Sequence, residues 1–480
     1  MDEIFKYPLL KSVSVLFSVF IFILLLTNKF FIKMLFIIAN SNLKESSMIF
    51  GINEENLNYL YNFRYSKYKV VGFINPGLEK ISNLSGHRAV QIEQLNEFIK
   101  KNNIKNILCN SKSLPNIKFI EKLSQSGVSI VKFDDNFGVN NNFELNKVSL
   151  DDLIGRFEVS KNYFQDVKFL KDKVVLITGA GGSIGSALFQ ELISHLPKKI
   201  LCIDHNEYAI YKLSKKNETH QVAKFYLGNI VDKSFLEEIF ESNKINVVFH
   251  CAAYKHVNIT EQNQTQTAKN NILGTLNLVK LSSKFNIEKF TLISTDKAVK
   301  PSNVMGYTKY ISEQICLREF EINNKTQFNV VRFGNVIGSS GSVIPLFNEL
   351  IRENRAIEIT DRKVERFFMS IREAVTLIIS ATNMDNSGRI YILDMGKPIK
   401  ILDIAKKMIL LSGKKYKVNN KLNKIDDNSS DIINIYFTGL KKGEKITEEL
   451  SDSKLKPTEN PKIFIASNRK YKLSKFNYLI

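Results

Sequence analysis

Apolar runs of two different lengths recur along the chain, and polar or helical stretches separate them. The first run, residues 13–27, carries no charge, and extending it backwards to about 20 residues adds only Lys11. Twenty residues at ~1.5 Å each match the ~30 Å hydrocarbon core of a bilayer. A second apolar patch, residues 30–39, is interrupted by Lys33 and is too short to span. The pattern predicts a membrane anchor within residues 1–42.

A secretory signal peptide and a buried core helix are the alternatives for this run. The flank before it contains Asp2 and Glu3 as well as Lys6, and no small-residue cleavage site follows it. Lys29 and Lys33 come directly after the run, so the positive-inside bias places the following chain in the cytoplasm. We therefore expect a cell-membrane protein with a single-pass or peripheral anchor and any catalytic domain on the cytoplasmic side.

Shorter apolar runs alternate with helical patterns in residues 43–145, which predicts a parallel α/β sheet. The expected strands are 47–52, 69–74, 106–109 and 128–133, and the expected helices are 54–63, 93–102 and 116–126. The turn after the first strand has only Gly51 and no glycine-rich phosphate loop. We expect this domain to be a structural or regulatory module rather than a nucleotide-binding one.

A polar linker near residues 140–146 leads into a second α/β unit, residues 146–480. Its strands are expected to run into the motif at 173–185 and over 246–254, 290–299 and 328–338. The fold class is therefore α/β, with two Rossmann-like doubly wound parallel-sheet units after an N-terminal membrane helix.

The segment KVVLITGAGGSIG joins an apolar strand to a helical pattern through Gly179, Gly182 and Gly185. Glycines there allow a tight turn and close approach to a pyrophosphate, which the helix N-terminus then binds. The next strand ends at Asp204, whose carboxylate would accept a hydrogen bond from a ribose 2′-hydroxyl and repel a 2′-phosphate. The pattern predicts NAD as the cofactor. The other predicted cofactor-binding residues are Ser183, Ile184, Asn229, Ile230, Ala252, Ala253 and Lys309.

The composition of the chain bears on nucleic-acid binding, metal sites and disulfides. The net charge is +20, but the lysines are scattered and no nucleic-acid reading motif accompanies them, so no nucleic-acid partner is predicted. The four cysteines, Cys109, Cys202, Cys251 and Cys316, are far apart, and histidine is scarce. This argues against a zinc site or a disulfide framework and is typical of a reducing compartment, so no metal site is predicted.

Several longer motifs make the chain resemble one family. They are LITGAGGSIGS (176–186), HCAAYKHVNITE (250–261), NNILGT (270–275), STDKAVKPSNVMGYTK (294–309), VRFGNVIGSSGSVIPLF (331–347), RFFMSIREA (366–374) and GLKKGEKITEEL (439–450). With these, the chain resembles the CapD-like polysaccharide biosynthesis proteins, membrane-associated UDP-N-acetylglucosamine 4,6-dehydratases of the extended short-chain dehydrogenase/reductase superfamily. The resemblance implies a small C-terminal substrate-binding subdomain. Long family members carry several membrane helices, whereas this chain has room for about one.

The resemblance implies a dehydration that starts with oxidation at sugar carbon C4 and needs an acid and a base near C5 and C6. It assigns Asp296 as the acid and Lys297 as the base. A free lysine, with a pKa of about 10.4, is a poor base near neutrality, so we expect the pair to share a proton and titrate as a unit. The acceptor of the C4 hydroxyl proton stays open between Thr295 and Asp296 acting through a water.

Lys309 matches the reductase lysine that binds the nicotinamide ribose, but its usual tyrosine partner is replaced by Met305. Long family members resemble this chain in that respect and retain configuration at C5, which favours the retaining reaction.

The resemblance also implies UDP-sugar binding by Lys255, Asn335, Arg366 and Lys441. Two positions depart from the family pattern: Asn229 replaces an aspartate, and Lys441 replaces an arginine and lacks its bidentate geometry.

Two other functions remain as alternatives. One is an NAD-dependent UDP-sugar epimerase, and the other is a non-catalytic nucleotide-binding membrane scaffold. Family members often associate, which allows a homo-oligomer, but the sequence marks no interface.

Overall fold

The structure is a computed structural model. It describes residues 17–25, 27–28, 44–51, 56–57, 59–63, 66–75, 83–84, 87–110, 115, 119, 123, 128–133, 146–147, 167–218, 221–323, 325–384, 388–419, 432–452 and 454–466. The chain divides into two compact units, Met1–Leu153 and Ile154–Ile480.

Residues 17–25 form a helix whose side chains are exposed, including Phe17 and Phe20. Among the described residues, no helix combines the length and the apolar character needed to cross a bilayer. Most of the predicted anchor, residues 1–42, lies outside the described part of the chain.

Besides the helix at residues 17–25, the first unit contains a seven-stranded sheet and two helices whose bounds are described. In chain order its strands are β1 (Glu45–Phe50), β2 (Tyr68–Asn75), β3 (Asn83–Leu84), β4 (His87–Gln91), β5 (Asn106–Asn110), β6 (Ser129–Phe133) and β7 (Asn146–Lys147). The helices are α1 (Leu60–Phe63) and α2 (Leu95–Lys101).

The order across the first sheet is β3-β4-β2-β1-β5-β6-β7, and β4, β2, β1, β5 and β6 are parallel. This is the doubly wound order, in which the chain reverses direction of travel between β1 and β5. The predicted helix at 116–126 lies largely outside the described residues. Strand β7 pairs antiparallel with β6, so residues 146–147 belong to this sheet.

The second unit is built on a nine-stranded sheet. Its strands are β8 (Val174–Thr178), β9 (Lys199–Asp204), β10 (Ala223–Leu227), β11 (Val247–His250), β12 (Lys289–Ile293), β13 (Gln327–Arg332), β18 (Arg389–Leu393), β22 (Leu455–Pro457) and β23 (Ile463–Ala466). They are ordered β10-β9-β8-β11-β12-β13-β18-β23-β22, and the seven from β10 to β18 are parallel. The prediction of two Rossmann-like sheets is confirmed.

Ten α-helices are described in this second unit. They are α3 (Ser183–Ile193), α4 (Glu207–Lys216), α5 (Lys233–Ser242), α6 (Val257–Gln262), α7 (Gln264–Ala268), α8 (Gly274–Lys284), α9 (Val304–Ile322), α10 (Val343–Arg352), α11 (Ile371–Asn383) and α12 (Ile401–Leu411). A π-helical turn, Lys269–Leu273, joins α7 to α8.

The strand side chains alternate between two cores. Val175 and Ile177 of β8 pack with residues of α3 and α11 on one face, whereas Leu176 packs with residues of α5, α8 and α9 on the other. All five residues of β8 are buried, which explains the uninterrupted apolar run in the sequence.

Short strands form three smaller sheets beside the main one. The strands are β14 (Asn335–Val336), β15 (Ile357–Ile359), β16 (Glu365–Arg366), β17 (Phe368–Met369), β19 (Ile399–Lys400), β20 (Lys415–Val418) and β21 (Ile432–Phe437). They pair as β14 with β17, as β16 with β19, and as β15-β21-β20.

Three of the predicted strands were too long. β11 ends at His250, β12 at Ile293 and β13 at Arg332, although strands had been expected to continue to 254, 299 and 338. The chain leaves the sheet at these points because the following residues form the walls of a pocket.

Candidate active site

The glycine loop between β8 and α3 is shaped by close backbone contacts. Gly179 has a φ of +67°, and a Cβ there would lie 2.7 Å from the backbone of Ala252. A Cβ at Gly185 would lie 2.2 Å from the carbonyl oxygen of Gly179. Only glycine fits either position, so the turn stays narrow and α3 begins at Ser183, directly beside the loop.

Asp204 at the end of β9 is fixed by two backbone donors. Its Oδ2 accepts a hydrogen bond from the Gly181 N–H at 2.9 Å, and its Oδ1 accepts one from the Asn206 N–H at 3.0 Å. These bonds hold the carboxylate beside the glycine loop, at the edge where a dinucleotide ribose is bound in this fold.

A pocket of about 770 Å³ opens over the carboxyl ends of the parallel strands. The predicted residues among its lining are Gly179, Gly182, Ser183, Ile184, Gly185, Asp204, Ile230, Ala252, Ala253, Lys255, Thr295, Lys297, Met305, Lys309 and Asn335. The glycine loop and the predicted catalytic segment therefore face one cavity.

Asp296 and Lys297 lie in a short 3₁₀ turn after β12. The Lys297 ammonium donates to Asp296 Oδ1 at 3.0 Å and to Asn335 Oδ1 at 3.3 Å. The Thr295 hydroxyl donates to the same Asp296 Oδ1 at 2.8 Å. Thr295 and Lys297 line the pocket, whereas Asp296 is fully buried beneath them.

The second carboxylate oxygen of Asp296, Oδ2, has no hydrogen-bond partner among the described residues. A Cβ at Gly334 would lie 3.1 Å from it, so the absence of a side chain at Gly334 leaves space beside this oxygen. An unsatisfied buried carboxylate oxygen is energetically costly.

Met305 and Lys309 lie one helical turn apart near the start of α9, and both are buried. The Asn303 side chain accepts a hydrogen bond from the Gly306 N–H at 2.8 Å and thereby caps this helix. Burial lowers the pKa of Lys309 to about 8, and Glu313, Cys316 and Cys251 partly oppose that shift.

A buried ion pair joins α9 to the sheet next to the pocket. Glu313 accepts from Arg332 Nε at 2.7 Å and also pairs with Arg332 Nη2. The Ser294 hydroxyl donates to Glu313 as well. Because Ser294 precedes Thr295, these bonds fix the start of the catalytic segment against the helix that carries Lys309.

Three predicted binding residues do not line the pocket. Asn229 is exposed, and its side-chain oxygen accepts the Val231 N–H at 3.0 Å. Arg366 is buried and donates to the carbonyl oxygens of Glu365 and Ile446. Lys441 is exposed. Arg366 is thus hydrogen-bonded to protein groups and is not part of the pocket wall.

Some lining residues were missed from the sequence. Gly181 approaches the Asp204 carboxylate, and Ser339, Ser340 and Ser342 line the same pocket. The Ser340 N–H donates to the Ser183 hydroxyl at 3.0 Å, which joins the two loops. The sequence feature that indicates these serines is the run GSSGS after a strand, because its composition is similar to that of the glycine loop.

Glu448 was also missed. It is 4% exposed, and its Oε2 has no hydrogen-bond partner among the described residues. Burial raises the pKa of its carboxyl, and Asp296 adds to that shift while Lys297, Arg366 and Lys445 oppose it. Glu448 lies within the motif at 439–450, but the motif does not indicate that this carboxyl is buried.

The parallel sheet, the glycine loop, the acidic end of β9 and the lysine on α9 define a dinucleotide-binding protein of the extended short-chain dehydrogenase/reductase class. The residues present fit NAD: the loop excludes side chains at Gly179 and Gly185, and Asp204 presents a negative charge beside it. NAD is the cofactor of this pocket.

Residues 175–468 match the family described as "Polysaccharide biosynthesis protein", and the chain belongs to that family. It is similar to the capsular polysaccharide biosynthesis protein CapD of Staphylococcus aureus, with 37% identity over 75% of this chain and 59% of that protein. It is also similar to a Campylobacter jejuni protein named UDP-N-acetylglucosamine 4,6-dehydratase (inverting), with 33% identity over 48% of this chain and 70% of that one.

Among solved structures, Pen from Bacillus thuringiensis is similar, with a TM-score of 0.55 and 31% identity. The match covers 62% of this chain and 89% of that one. The chain spans 59% of the CapD protein, so the similarity concerns part of that relative.

We predict that Asp204→Ala reduces the preference for NAD over NADP by about tenfold, or ~1.4 kcal/mol, because the negative charge facing the ribose is lost. Asp204→Asn, which keeps an acceptor oxygen, should show most of the same loss. The dissociation constants of both cofactors are measured by calorimetry on the full chain. Glu207→Gln is the matched control, because this exposed carboxylate of α4 does not line the pocket. Unchanged selectivity in both Asp204 variants would show that the ribose is recognised elsewhere.

We predict a stability difference between wild type and Lys309→Met that depends on pH. Burial lowers the pKa of Lys309 to about 8, from 10.5 in the unfolded chain, so the unfolded state binds more protons between these values. The cost of burying the ammonium is full below pH 8 and is relieved as pH rises towards 10.5. Stability should gain up to ~1.4 kcal/mol per pH unit from this group.

Urea unfolding of the full chain across that window measures the effect. The wild-type curve should rise relative to that of Lys309→Met, whereas Lys212→Met, which removes an exposed lysine of α4, should follow the wild type. Parallel curves for Lys309→Met and wild type would contradict the burial argument.

Proposed function

We propose that the chain catalyses NAD-dependent dehydration of a UDP-N-acetylhexosamine, namely UDP-N-acetylglucosamine, to the 4-keto-6-deoxy sugar for surface polysaccharide biosynthesis. The observation that carries the proposal is that Thr295 and Lys297 line the same pocket as the glycine loop and both hydrogen-bond to the buried Asp296 carboxylate. An acid and a base side by side suit removal of a proton and a hydroxyl from adjacent carbons. The similarity to the C. jejuni dehydratase supports the same reaction class.

NAD would be held by the glycine loop, Asp204 and Lys309 and would supply the hydride chemistry at C4 and C6. The protein has to move two protons, the C4 hydroxyl proton and the C5 proton. The proton from C4 leaves with the C6 hydroxyl as water, and the C5 proton is returned to C5.

The Thr295 hydroxyl supports a route for the first of these protons. It lines the pocket and donates to the buried Asp296 carboxylate at 2.8 Å, so it can receive a proton from the sugar as it passes its own on. Asp296 then holds the proton and returns it through the Thr295 hydroxyl to the C6 hydroxyl as that group departs. Burial of Asp296 makes the threonine the contact group and the aspartate the proton store.

Lys297 is the proposed base at C5. Its amine lies between Asp296 Oδ1 and Asn335 Oδ1, and both oxygens stabilise the ammonium that forms when it takes the proton. Return of that proton from the same amine to the same face of the sugar retains the configuration at C5. Met305 lines the pocket where reductases have a tyrosine, so no phenol is available there to reprotonate C5.

Lys309 is proposed to bind the nicotinamide ribose, since its buried side chain lines the same pocket. Lys255 and Asn335 are the proposed contacts to the UDP-sugar because they line the pocket too. Arg366 and Lys441 are proposed substrate contacts in the C-terminal subdomain. Because neither residue lines the pocket, these contacts require the UDP group to extend towards that subdomain.

Membrane attachment through residues 1–42, with the catalytic unit in the cytoplasm, is part of the proposal, as is a homo-oligomer. The apolar run at 13–27 supports the attachment.

The full chain, incubated with NAD and UDP-N-acetylglucosamine, should yield a product lighter by one water, and NMR should show retained configuration at C5. An isomer of unchanged mass would indicate an epimerase. Bound NAD without conversion of any UDP-hexosamine would indicate the non-catalytic scaffold.

We predict that Asp296→Asn and Lys297→Ala each lower dehydration by at least about a thousandfold, as expected for loss of an acid or a base, while NAD affinity stays within about threefold. Turnover and cofactor binding are measured separately. Turnover close to wild type in either variant would remove that residue from its proposed role.

We predict that Thr295→Val lowers turnover by about a hundredfold and that Thr295→Ser restores most of it, because only the hydroxyl carries the proton. Retained turnover in Thr295→Val would show that Asp296 exchanges protons through a water instead.

A further inference from the structure

The loop GSSGS, residues 338–342, connects strand β14 to helix α10, and all of its residues except the first line the pocket. Both of its ends are fixed. Before the loop, the Ile337 N–H donates to the Met369 carbonyl oxygen at 2.9 Å. After it, the side chain of Ile344 in α10 is buried. We call residues 338–342 the strap.

The middle of the strap is hydrogen-bonded to the first residue of α3. The Ser340 N–H donates to the Ser183 hydroxyl at 3.0 Å, and the hydroxyl oxygens of the two serines are 3.3 Å apart. Ser183 follows the glycine loop directly. In this fold the pyrophosphate of a dinucleotide binds at the N-terminus of the helix after the glycine loop. The strap therefore lies next to the place where the charged centre of the cofactor is bound.

A second contact joins the strap to His256, which lies in the segment between β11 and α6. A Cβ at Gly341 would lie 2.5 Å from Cε1 of the His256 ring, so the ring occupies the space that a side chain would need. His256 lines the pocket as well. The strap thus contacts two separate segments of the chain that border one cavity.

The backbone of the strap can change its direction at two glycines. Gly338 has a φ of +72° and Gly341 a φ of +68°, in the region that glycine adopts most easily. No heavy atom of the described residues lies within 4 Å of the position of a Cβ at Gly338, so packing does not restrict rotation there. The bond from Ser340 to Ser183 is exposed, and a single exposed hydrogen bond contributes little net stability. The strap can therefore move away from α3 while its two ends stay fixed.

We propose that the strap is part of the cofactor site, that it closes over the pyrophosphate of bound NAD, and that its opening sets the rate at which NAD leaves. The bond between Ser340 and Ser183 and the contact between Gly341 and His256 hold it closed. This proposal rests on NAD as the cofactor and not on the proposed dehydration. In that dehydration the cofactor ends each cycle in its starting form, so slow release of NAD would not limit turnover.

The first test locks the strap with a disulfide in the full-length Ser183→Cys/Ser340→Cys variant. Because the two hydroxyl oxygens are 3.3 Å apart, cysteines at these positions are within reach of a disulfide. The protein is loaded with NAD, oxidised and desalted, and the NAD that remains bound is measured over time after denaturation. The oxidised protein should retain NAD at least about tenfold longer than the same protein after reduction. Oxidation before NAD is added should slow its binding by a similar factor.

The two single variants, Ser183→Cys and Ser340→Cys, are the matched controls. Each should release NAD at the same rate before and after treatment with the oxidant. Ser183→Cys also shows whether the new thiol pairs with Cys251, which lines the pocket, and peptide mass spectrometry identifies the disulfide. Equal release rates from the oxidised and reduced double variant would overturn the proposal. Failure of the disulfide to form would also overturn it, because the strap and α3 would then not be in contact.

The second test displaces the strap without cysteines. In Gly341→Ala the added methyl group would collide with the His256 ring, so NAD release should become about tenfold faster. Gly341→Ala/His256→Ala removes the collision and should restore much of the slow release. Gly338→Ala carries the same left-handed backbone strain without a collision and should change the release rate less than Gly341→Ala.

An unchanged release rate in Gly341→Ala, or a fast rate that the added His256→Ala substitution does not slow, would contradict the proposed contact. If Gly341→Ala fails to fold, the disulfide variant decides the question alone. All of these measurements follow bound NAD and not the conversion of a sugar. A locked strap that retains NAD in a protein that converts no UDP-hexosamine would therefore leave this proposal standing while the dehydration fails.

Discussion

The contact between the Lys297 ammonium and the buried Asp296 carboxylate is the interaction on which the site depends. A charge with no exposure to water is tolerated only when opposite charge and hydrogen-bond donors surround it. Asp296 obtains these on one oxygen, from Lys297 and Thr295, whereas its other oxygen has no hydrogen-bond partner in the described part of the chain. The pair is therefore held in place through a single carboxylate oxygen.

The fold supplies this arrangement through parallel pairing. Strands β8, β11, β12 and β13 run side by side in the same direction, so their carboxyl ends meet at one edge. Beyond the end of each of these strands, the chain leaves the sheet and forms part of the pocket wall. The Glu313–Arg332 pair then joins α9, the helix that carries Lys309, to strand β13 at this edge.

The sequence predicted the two parallel sheets, the glycine loop and the adjacent Asp296 and Lys297, because each depends on local patterns. It did not predict that Asp296 lies beneath the pocket surface, or that Arg366 is occupied by the carbonyl oxygens of Glu365 and Ile446. Those features arise from contacts between residues far apart in the chain. Strand ends were overestimated for a related reason: apolar residues that leave the sheet to line a cavity look the same in sequence as those that stay.

The hydrogen bonds that the Gly443 carbonyl oxygen accepts from the Ser302 hydroxyl and the Asn303 amide also change how the family's signature motifs should be understood. Gly443 has a φ of +77°, and a Cβ there would lie 2.8 Å from the Ser302 carbonyl oxygen. The hydrogen-bond partners of Gly443 are 140 or more residues away in the chain, yet the two segments are joined directly. If the turn with Asp296 and Lys297 were transferred to another protein without the loop that contains Gly443, the two side chains would be present. The hydrogen bonds that Gly443 accepts from residues 302–303 would be lost.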